Sequence, residues 1–507
     1  DFLPLLVAAS RAALPLVLLS TDLPDKRLEH ARNVWAVRAM RPGLLVTTSR
    51  PAAEAALAEA AQADAEAPTR GTRVLSLEEL EAAPHGVPPA VPDCRTLCYM
   101  FTGGTQRTKI VEVTHAMLLH ENRAYGGLWR PRAHPAVVLG HTSVYWGASA
   151  LGQLSIALAF AGTVVWAEVT EVDDLRRCIS EEGVTVLGVV PDHLDLLAPQ
   201  VPATDLPSVE VVFTWGERLP RRLAERWRGH PRAVVRELLI ATEYWLALWT
   251  DPIAGEGVLR AVEGAEALVL SEDGSPVAAG EVGELCLAGP MVTPGYVRQA
   301  APGGAGDGAD VFCADAAGRR FFRTRDLVRR VPGGVVYKGR ADMMTKSKGK
   351  WVDMLAVEDE VARLPGVAAA KALPDPVLEH FHLFLKLEDS GEVNRVLDSA
   401  RLAVPPQVQL WHVPDLPRHP VTRKVDSARL LKMVTSCVPS WPISGDPRLS
   451  AAPLGTRERL AAKATRQLAF TCTSFGVAWA LADGRRLLPQ LTVAAAALAG
   501  GSSLLTE

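Results

Sequence analysis

Short apolar runs alternate with stretches of helical spacing along the first half of the chain. The apolar runs predict buried strands at residues 14–19, 43–48, 97–101, 137–139, 163–166, 183–190 and 209–214. The stretches between them predict helices at residues 2–13, from 23 onward, 51–72, 114–125 and 147–160. Such alternation is typical of a parallel sheet with helices on its faces, so the pattern predicts an α/β fold.

The pattern changes in the second half of the chain. Residues 255–300 carry β-hairpin signals, with a turn at Ser271 to Gly274. Residues 357–432 fit a small α/β unit with a helix at 357–364 and strands at 368–373, 381–387 and 408–413. Beyond a Pro-rich linker, the uncharged stretches within 468–505 predict a helical hairpin that either packs on a protein partner or enters a membrane.

Composition narrows the class of protein. The chain has 507 residues and a net charge of -3, which implies a large core and no strong attraction to nucleic acid. Its 7 cysteines are scattered without metal-binding spacing, which predicts reduced thiols in the cytosol, a plastid or a mitochondrion. The chain opens at Asp1 within a helical pattern, as a mature or trimmed product would.

The stretch from Leu97 to His115 carries the first candidate chemistry. An apolar strand breaks into small and hydroxyl residues, and a lysine follows, a pattern suited to holding phosphates through backbone N–H groups, hydroxyls and positive charge. The candidate phosphate-binding residues are Thr102, Gly103, Gly104, Thr105 and Lys109. The spacing is not that of a P-loop. Taken alone, the same residues are also compatible with an ordinary turn between strands.

This loop resembles the Thr-Ser-Gly-Thr-Thr-Gly-x-Pro-Lys-Gly loop of adenylate-forming enzymes. That superfamily comprises acyl-CoA synthetases, adenylation domains of nonribosomal peptide synthetases, and luciferases. Further stretches resemble the superfamily's motifs in the same order along residues 2–430. The resemblance implies a large domain at 1–339 that lacks the family's first part, a small lid domain at 340–432, and a linker with a helical hairpin at 433–507.

Four of these motifs imply contacts with ATP and Mg²⁺. The stretch 215–220 resembles Gly-Gly-Glu-x-Leu, and the stretch 237–243 resembles Tyr-Gly-x-Thr-Glu. The stretch 322–327 resembles Tyr-Arg-Thr-Gly-Asp-Leu, and 339–342 resembles the hinge motif Gly-Arg-x-Asp. The residues that the resemblance assigns are Gly216 and Glu217 (nucleotide), Thr242 (α-phosphate, catalytic), Glu243 (Mg²⁺, catalytic), Asp326 (ribose), Arg340 (ribose or phosphate) and Asp342 (hinge).

Two more resemblances concern the acid and its activation. Residues 416–426 resemble Leu-Pro-x-Thr-x-x-Gly-Lys-Val-Asp, which implies that Lys424 is the catalytic lysine. His141 follows a predicted strand at the position that borders the acyl substrate in the family. Members of the family that activate amino acids usually carry an Asp here, so its absence at 141–146 implies either a substrate other than an α-amino acid or no substrate at all. Residues 283–296 resemble the family's Gly-Glu-Leu…Gly-Tyr motif, which is mainly structural.

Departures from the motifs concentrate where the nucleotide is expected. Trp215, Arg325 and Arg423 stand in place of glycines, and Trp215 is expected to cap or fill the nucleotide pocket. Ile240 and Ala241 replace an aromatic residue and a glycine. Two functions follow. The first is ATP- and Mg²⁺-dependent activation of a carboxylic acid as an acyl-adenylate, with transfer to a thiol or another acceptor. The alternative is a catalytically degenerate protein that serves as a scaffold or accessory subunit of a larger complex, including one at a membrane.

Overall fold

The structure is a computed structural model. It describes residues 2–21, 25–62, 72–76, 78–79, 92, 95–102, 109–132, 135–167, 172–197, 206–228, 230, 232–251, 257–297, 311–315, 317–341, 344–347, 350–375, 381–388, 393–406, 408–418 and 425–436. The predicted hairpin within 468–505 lies outside these ranges.

The described helices follow the predicted helical spacing. They are α1 (Phe2–Arg11), α2 (Lys26–Met40), α3 (Arg50–Gln62), α4 (His115–Leu128), α5 (Leu154–Ala159), α6 (Val172–Glu181), α7 (Pro191–Leu197), α8 (Arg221–Arg228), α9 (Met354–Val361), α10 (Val393–Ala403) and α11 (Ser427–Ser436). Thr114 is the N-cap of α4, as predicted, and its hydroxyl accepts a hydrogen bond from Met117 N. The helix predicted at 147–160 is confirmed, but Ala148–Gln153 form a π-helix before α5.

The strands confirm most of the predicted apolar runs. They are β1 (Leu16–Val17), β2 (Leu44–Thr47), β3 (Arg73–Ser76), β4 (Thr96–Phe101), β5 (Ile110–Thr114), β6 (Val137–Gly140), β7 (Thr163–Trp166), β8 (Val186–Val189), β9 (Val211–Thr214), β10 (Val234–Leu239), β11 (Leu248–Thr250), β12 (Val258–Ala261), β13 (Glu266–Leu270), β14 (Val282–Ala288), β15 (Phe312–Ala314), β16 (Arg320–Val331), β17 (Gly334–Arg340), β18 (Met344–Ser347), β19 (Lys350–Asp353), β20 (Val367–Pro374), β21 (Phe381–Leu387) and β22 (Val408–His412).

The largest sheet begins with parallel strands in the order β7-β6-β8-β9-β10. Every residue of β8 and β9 is buried, as expected for strands covered on both faces. The chain passes from β6 to β7 on one side and then crosses to β8 on the other. In open α/β sheets, ligands bind at the carboxyl ends of the strands where the strand order reverses in this way.

The same sheet continues through antiparallel strands in the order β11-β12-β17-β16-β14-β13. The turn predicted at Ser271 to Gly274 is confirmed, because Gly274 N donates to Ser271 O at 3.0 Å and Gly274 has a φ of 84°. Smaller sheets are formed by β1-β4-β5 and by β2-β3. In this antiparallel half, β16 carries the predicted ribose motif, and the hinge motif begins at the end of β17.

Helix α4 is fastened to the segment after β10 by two buried polar side chains. Glu121 accepts a hydrogen bond from Leu246 N at 2.8 Å, and His120 Nε2 lies 2.9 Å from Leu246 O. Burial raises the pKa of Glu121 to about 7. These contacts satisfy both backbone groups of Leu246 where the chain passes through the core.

The described chain divides into two compact units. The first comprises residues 1–344, 353–355 and 417–426, and the second comprises 345–352, 356–416 and the residues from 427 onward. Within the second unit, β20, β21 and β22 form a sheet, and its strands and helix confirm the α/β pattern predicted for 357–432. Among the residues described, no helix is long and apolar enough to cross a bilayer.

Cysteines within the described ranges are reduced. Cys98, Cys178, Cys286 and Cys313 are free thiols. Burial raises the pKa of Cys98 to about 12, so this thiol is unreactive at neutral pH.

Candidate active site

The predicted phosphate loop connects β4 to β5, and its two described ends are hydrogen-bonded to each other. Thr102 N donates to Lys109 O at 3.0 Å, and Lys109 N donates to the Thr102 hydroxyl at 3.1 Å. Gly103, Gly104 and Thr105 lie outside the described residues. The antiparallel pairing of β4 and β5 therefore fixes where the loop leaves and rejoins the sheet.

Lys109 and Glu243 are linked through a tyrosine that the sequence did not indicate as a site residue. The Lys109 ammonium lies 4.6 Å from the centre of the Tyr296 ring. The Tyr296 hydroxyl donates to Glu243 Oε1 at 2.9 Å. Burial, reinforced by the nearby Glu243 carboxylate, raises the pKa of Tyr296, so the phenol stays protonated and can keep donating.

The backbone explains why these residues meet. Ala241 N donates to Tyr244 O at 2.8 Å, which closes a tight turn with Thr242 and Glu243 at its centre. Thr293 N donates to Glu243 O at 2.9 Å. Tyr296 forms a β-bridge with Val111 on the strand that follows Lys109. The segment around residues 292–297 thus joins the turn at 242–243 to the phosphate loop.

Asp326 is placed by an irregularity in β16. Arg323 pairs with Cys286 and Leu327 pairs with Glu284, so β16 has extra residues opposite a short stretch of β14. Arg325 within this bulge has a φ of 62°, the left-handed conformation that favours glycine. A bulge re-aims the side chains around it, and here it leaves Arg325 exposed and Asp326 only 4% exposed.

The Asp326 carboxylate is enclosed by hydroxyl donors. Tyr244 OH donates to one oxygen at 3.3 Å, and Tyr337 OH donates to the other at 3.3 Å. Arg340, its register partner on β17, has a nitrogen 3.9 Å from the carboxylate. Burial raises the pKa of Asp326, while Arg340 and the tyrosines act in the opposite direction.

Four of the predicted residues, Lys109, Glu243, Asp326 and Arg340, are thus connected into one path by tyrosines. Lys109, Tyr296 and Glu243 lie at one end, Tyr244 follows Glu243 in sequence, and Tyr244 contacts Asp326. The structure brings Arg340 to Asp326 as well. The tyrosines were missed because the motifs draw attention to charged residues and glycines, although Tyr244, Tyr296 and Tyr337 each stand in or beside a recognised motif.

His141 lies elsewhere, at the carboxyl end of β6. His141 Nε2 is 3.1 Å from His193 Nδ1, and the Gln153 amide nitrogen is 3.1 Å from His141 Nδ1. The Gln153 amide also donates to Gly188 O at 2.8 Å. Burial, with a smaller effect from His193, lowers the pKa of His141 to about 3, so this imidazole is neutral at physiological pH.

Gly216 and Glu217 follow β9 and are exposed, with Gly216 at a φ of 87°. Trp215 before them is only 5% exposed. Its indole covers Gly188 on β8 so closely that a Cβ there would lie 2.4 Å from the ring, and it also contacts the face of Gly152. The indole therefore occupies the space between β8 and the π-helix.

Lys424 and Asp342 lie outside the described residues. The chain on either side of Lys424 belongs to the first unit. Asp426 N donates to Pro417 O at 2.7 Å, and Arg418 forms an ion pair with Asp192 at 2.8 Å. The assignment of Lys424 as catalytic continues to rest on its motif.

The residues present fit a magnesium ion carried by phosphates. Mg²⁺ is bound through one or two carboxylates together with phosphate oxygens and water, so a single protein carboxylate suffices. Glu243 would supply that carboxylate, and the hydrogen bond from Tyr296 holds one of its oxygens in place. The other oxygen of Glu243 would bind the ion. The ion would neutralise part of the phosphate charge.

Replacing Arg325 with glycine should stabilise the protein or leave its stability unchanged. A left-handed conformation costs a non-glycine residue about 1–2 kcal/mol, which glycine avoids at the expense of greater freedom in the unfolded chain. Arg329→Gly on the same strand is the matched control, because Arg329 has no positive φ to relieve. Thermal unfolding should show Arg325→Gly at or above the wild-type Tm and Arg329→Gly below it. Equal losses of Tm would contradict the strain at Arg325.

Comparison with known proteins confirms the family resemblance. Residues 1–297 match the family model of the AMP-binding enzymes. CymA of Salinispora arenicola, described as a nonribosomal peptide synthetase, is 30% identical over 328 residues, which are 60% of this chain and 4% of that protein. The novobiocin biosynthesis protein H of Streptomyces niveus is 29% identical over 205 residues, 39% of this chain and 33% of that protein.

A solved structure supports the fold over a longer range. ATP-bound MatB from Rhodopseudomonas palustris aligns with a TM-score of 0.67 and 20% identity, covering 85% of this chain and 86% of MatB. The chain spans only 4% and 7% of the first two curated relatives, CymA and the vanchrobactin synthetase VabF of Vibrio anguillarum. The similarity therefore concerns one domain of those long proteins.

Proposed function

The chain belongs to the AMP-binding enzyme family, and from this premise we propose that it activates a carboxylic acid as an acyl-adenylate. A carboxylate oxygen of the acid attacks the α-phosphorus of ATP. The bond from that phosphorus to the bridging oxygen breaks, and pyrophosphate leaves with the bond's electron pair. The acyl group then passes to a thiol or another acceptor, and AMP is released.

The observation that carries the proposal is the path from Lys109 through Tyr296 and Glu243 to Asp326. Along this path a lysine and a carboxylate lie near the end of the loop, and a second carboxylate lies farther along, which supports roles in binding phosphate, Mg²⁺ and ribose. A triphosphate is stabilised by a cation and a metal-binding carboxylate, and a ribose is bound by a carboxylate that accepts from both of its hydroxyls. Lys109 would offset phosphate charge, and the Thr242 hydroxyl would donate a hydrogen bond to the α-phosphate.

The remaining assigned residues have positioning and charge-stabilising roles. Asp326 would accept hydrogen bonds from the ribose hydroxyls, with Arg340 next to it. Gly216 and Glu217 would border the nucleotide. Lys424 would stabilise charge that develops as pyrophosphate leaves. Asp342 would act as the hinge residue. These roles are extended from the motifs to this chain, and the contacts of Asp326 and Glu243 support them.

A non-catalytic accessory role is the second candidate. It is favoured by the state of Asp326, whose oxygens already accept from Tyr244 and Tyr337 and lie beside Arg340. A ribose would have to share or displace these donors. If the contacts hold, the carboxylate contributes to stability instead of binding ATP.

Glu243→Gln provides the test of the proposal. In carboxylate-dependent ATP–pyrophosphate exchange, the wild type should be active, and the variant should lose about tenfold or more in rate while requiring more Mg²⁺ for half-maximal activity. Glu266→Gln is the control, because Glu266 pairs with Arg319 on the exposed surface. Absence of exchange with every acid tried, together with no rise in Tm on adding ATP, would instead support the accessory role.

A further inference from the structure

Lys109 and Glu243 contact different parts of one tyrosine side chain. The Lys109 ammonium lies 4.6 Å from the centre of the Tyr296 ring, and the Tyr296 hydroxyl lies 2.9 Å from Glu243 Oε1. All three side chains are half-buried. Two opposite charges that are one side chain apart and partly shielded from water attract each other. With nothing between them, they would form an ion pair.

The two charges are nevertheless not paired. Within the described part of the chain, neither Lys109 nor Glu243 has an ion-pair partner. Lys371 shows the ordinary outcome, because it pairs directly with Glu358 at 3.1 Å. Tyr296 satisfies each charge in a different way, since the negative face of its ring attracts the ammonium and its hydroxyl donates to the carboxylate. This side chain thus holds both groups without joining them.

Backbone hydrogen bonds hold Tyr296 in this position. Val297 N donates to Ile110 O at 2.9 Å, and Glu112 N donates to Gly295 O at 3.1 Å. These bonds tie both neighbours of Tyr296 to β5, the strand that follows the predicted phosphate loop. The position of the ring is therefore set by strand pairing and does not depend on its contacts with the two charges.

The Tyr296 hydroxyl keeps its role over the physiological pH range. Burial, followed by the nearby Glu243 carboxylate, raises the pKa of Tyr296, so the phenol stays protonated. Thr293 N donates to Glu243 O at 2.9 Å, which holds the backbone of the acidic residue against the same segment. The donor and the acceptor are thus both anchored to residues 293–297.

We infer that Tyr296 is a positioning residue, which keeps Lys109 and Glu243 apart so that both charges stay available to the phosphates and Mg²⁺. This inference rests on the proposed function. Loss of the ring would let the two side chains pair. The pair would then offer less positive charge to the triphosphate and less negative charge to the metal ion. Loss of the hydroxyl alone would release one oxygen of Glu243 and leave the separation intact.

Thermal unfolding of the ligand-free protein tests the separation. Lys109→Met and Glu243→Gln are made singly and together, both in the wild type and in Tyr296→Leu. In the wild type, the two shifts of Tm should add. In Tyr296→Leu, the loss of Tm in the double variant should be smaller than the sum of the two single losses by about 1 °C or more, because either substitution already breaks the new ion pair. Tyr296→Met takes the place of Tyr296→Leu if that variant does not fold.

Tyr296→Phe is the matched variant, since it keeps the ring and removes only the donor. In this background the two Tm shifts should add, as in the wild type. In ATP–pyrophosphate exchange it should need about threefold more Mg²⁺ or above for half-maximal rate, while its Kd for metal-free ATP should stay unchanged. Tyr296→Leu should in addition weaken metal-free ATP binding about tenfold, because Lys109 is then paired with Glu243.

Tyr99→Phe is the control for the loss of a phenol. Tyr99 lies on β4, and its substitution should change neither the Mg²⁺ requirement nor the affinity for ATP. No exchange with any acid and no binding of ATP by the wild type would overturn the proposed function. Additive shifts of Tm in Tyr296→Leu, or an unchanged Mg²⁺ requirement and ATP affinity in both tyrosine variants, would overturn this inference alone.

Discussion

Asp326→Asn should lower kcat/KM for ATP in the exchange reaction by about 100-fold. The carboxylate offers a ribose two charge-assisted hydrogen bonds, each contributing about 1.5–3 kcal/mol, and asparagine cannot supply the charge. The fold should persist, because the asparagine carbonyl can still accept from Tyr244 or Tyr337. Most of the loss should appear as a higher KM for ATP, since the ribose contact exists before the reaction begins.

Two controls separate this effect from a structural one. Asp398→Asn, on the exposed face of α10, should leave exchange unchanged. Burial raises the pKa of Asp326, so wild-type affinity for ATP should weaken as the pH falls through that pKa, whereas the asparagine variant should lack this dependence. Unchanged kinetics with a lowered Tm would show that Asp326 serves only the fold.

Lys424→Ala should reduce the exchange rate by about 100- to 1,000-fold, the range found when one group that stabilises transition-state charge is removed. The effect should fall on kcat and leave ATP affinity nearly unaltered, because the charge that Lys424 neutralises develops as pyrophosphate leaves. The prediction rests on the Lys-Val-Asp motif at 424–426, which belongs to the first unit.

Lys386→Ala is the matched control for this prediction. Lys386 is an exposed lysine of the second unit, paired with Asp415 at 2.9 Å, and its removal should leave exchange unchanged. Equal rates in wild type and Lys424→Ala would show that the resemblance of 416–426 does not extend to catalysis.

The central parallel strands of the first unit were predictable because they are buried on both faces. Continuous apolar runs such as β8 and β9 leave little ambiguity. The π-helix at Ala148–Gln153 was not predictable, because π-helical turns are rare and one short turn within a nearly continuous apolar helix leaves no distinct pattern. The bulge at Arg325 was hidden for a related reason. The residue that occupies the left-handed position is an arginine, so the residue type carries no conformational signal, and only the glycine that the motif has at this position indicates one.

The candidate site was predictable only in part. Motifs located Lys109, Glu243, Asp326 and Arg340, and the structure connects them. The connection runs through Tyr244, Tyr296 and Tyr337, whose roles depend on cross-strand pairing at long sequence separation. The same holds for His193 and Gln153, which meet His141 only because β6 and β8 are neighbours in the sheet although β7 lies between them in sequence.

The expectation for Trp215 shows the limit of motif reasoning. Its replacement of a glycine suggested that it fills the nucleotide pocket. The structure places the indole over Gly188 and Gly152, between β8 and the π-helix. Direction could not be inferred from sequence, because a residue that follows a buried strand can turn toward either neighbour.

Oxygen transfer from the acid to AMP tests the central claim most directly. The acid, labelled with ¹⁸O in its carboxylate, is incubated with the protein, ATP, Mg²⁺ and hydroxylamine as acceptor. The masses of the nucleotide products are then measured by mass spectrometry. Acyl-adenylate formation predicts AMP that contains one ¹⁸O atom, because the carboxylate oxygen that attacked the α-phosphorus stays with AMP when the acyl group leaves. Label in inorganic phosphate with ADP as product, or acyl hydroxamate formed without ATP, would contradict it.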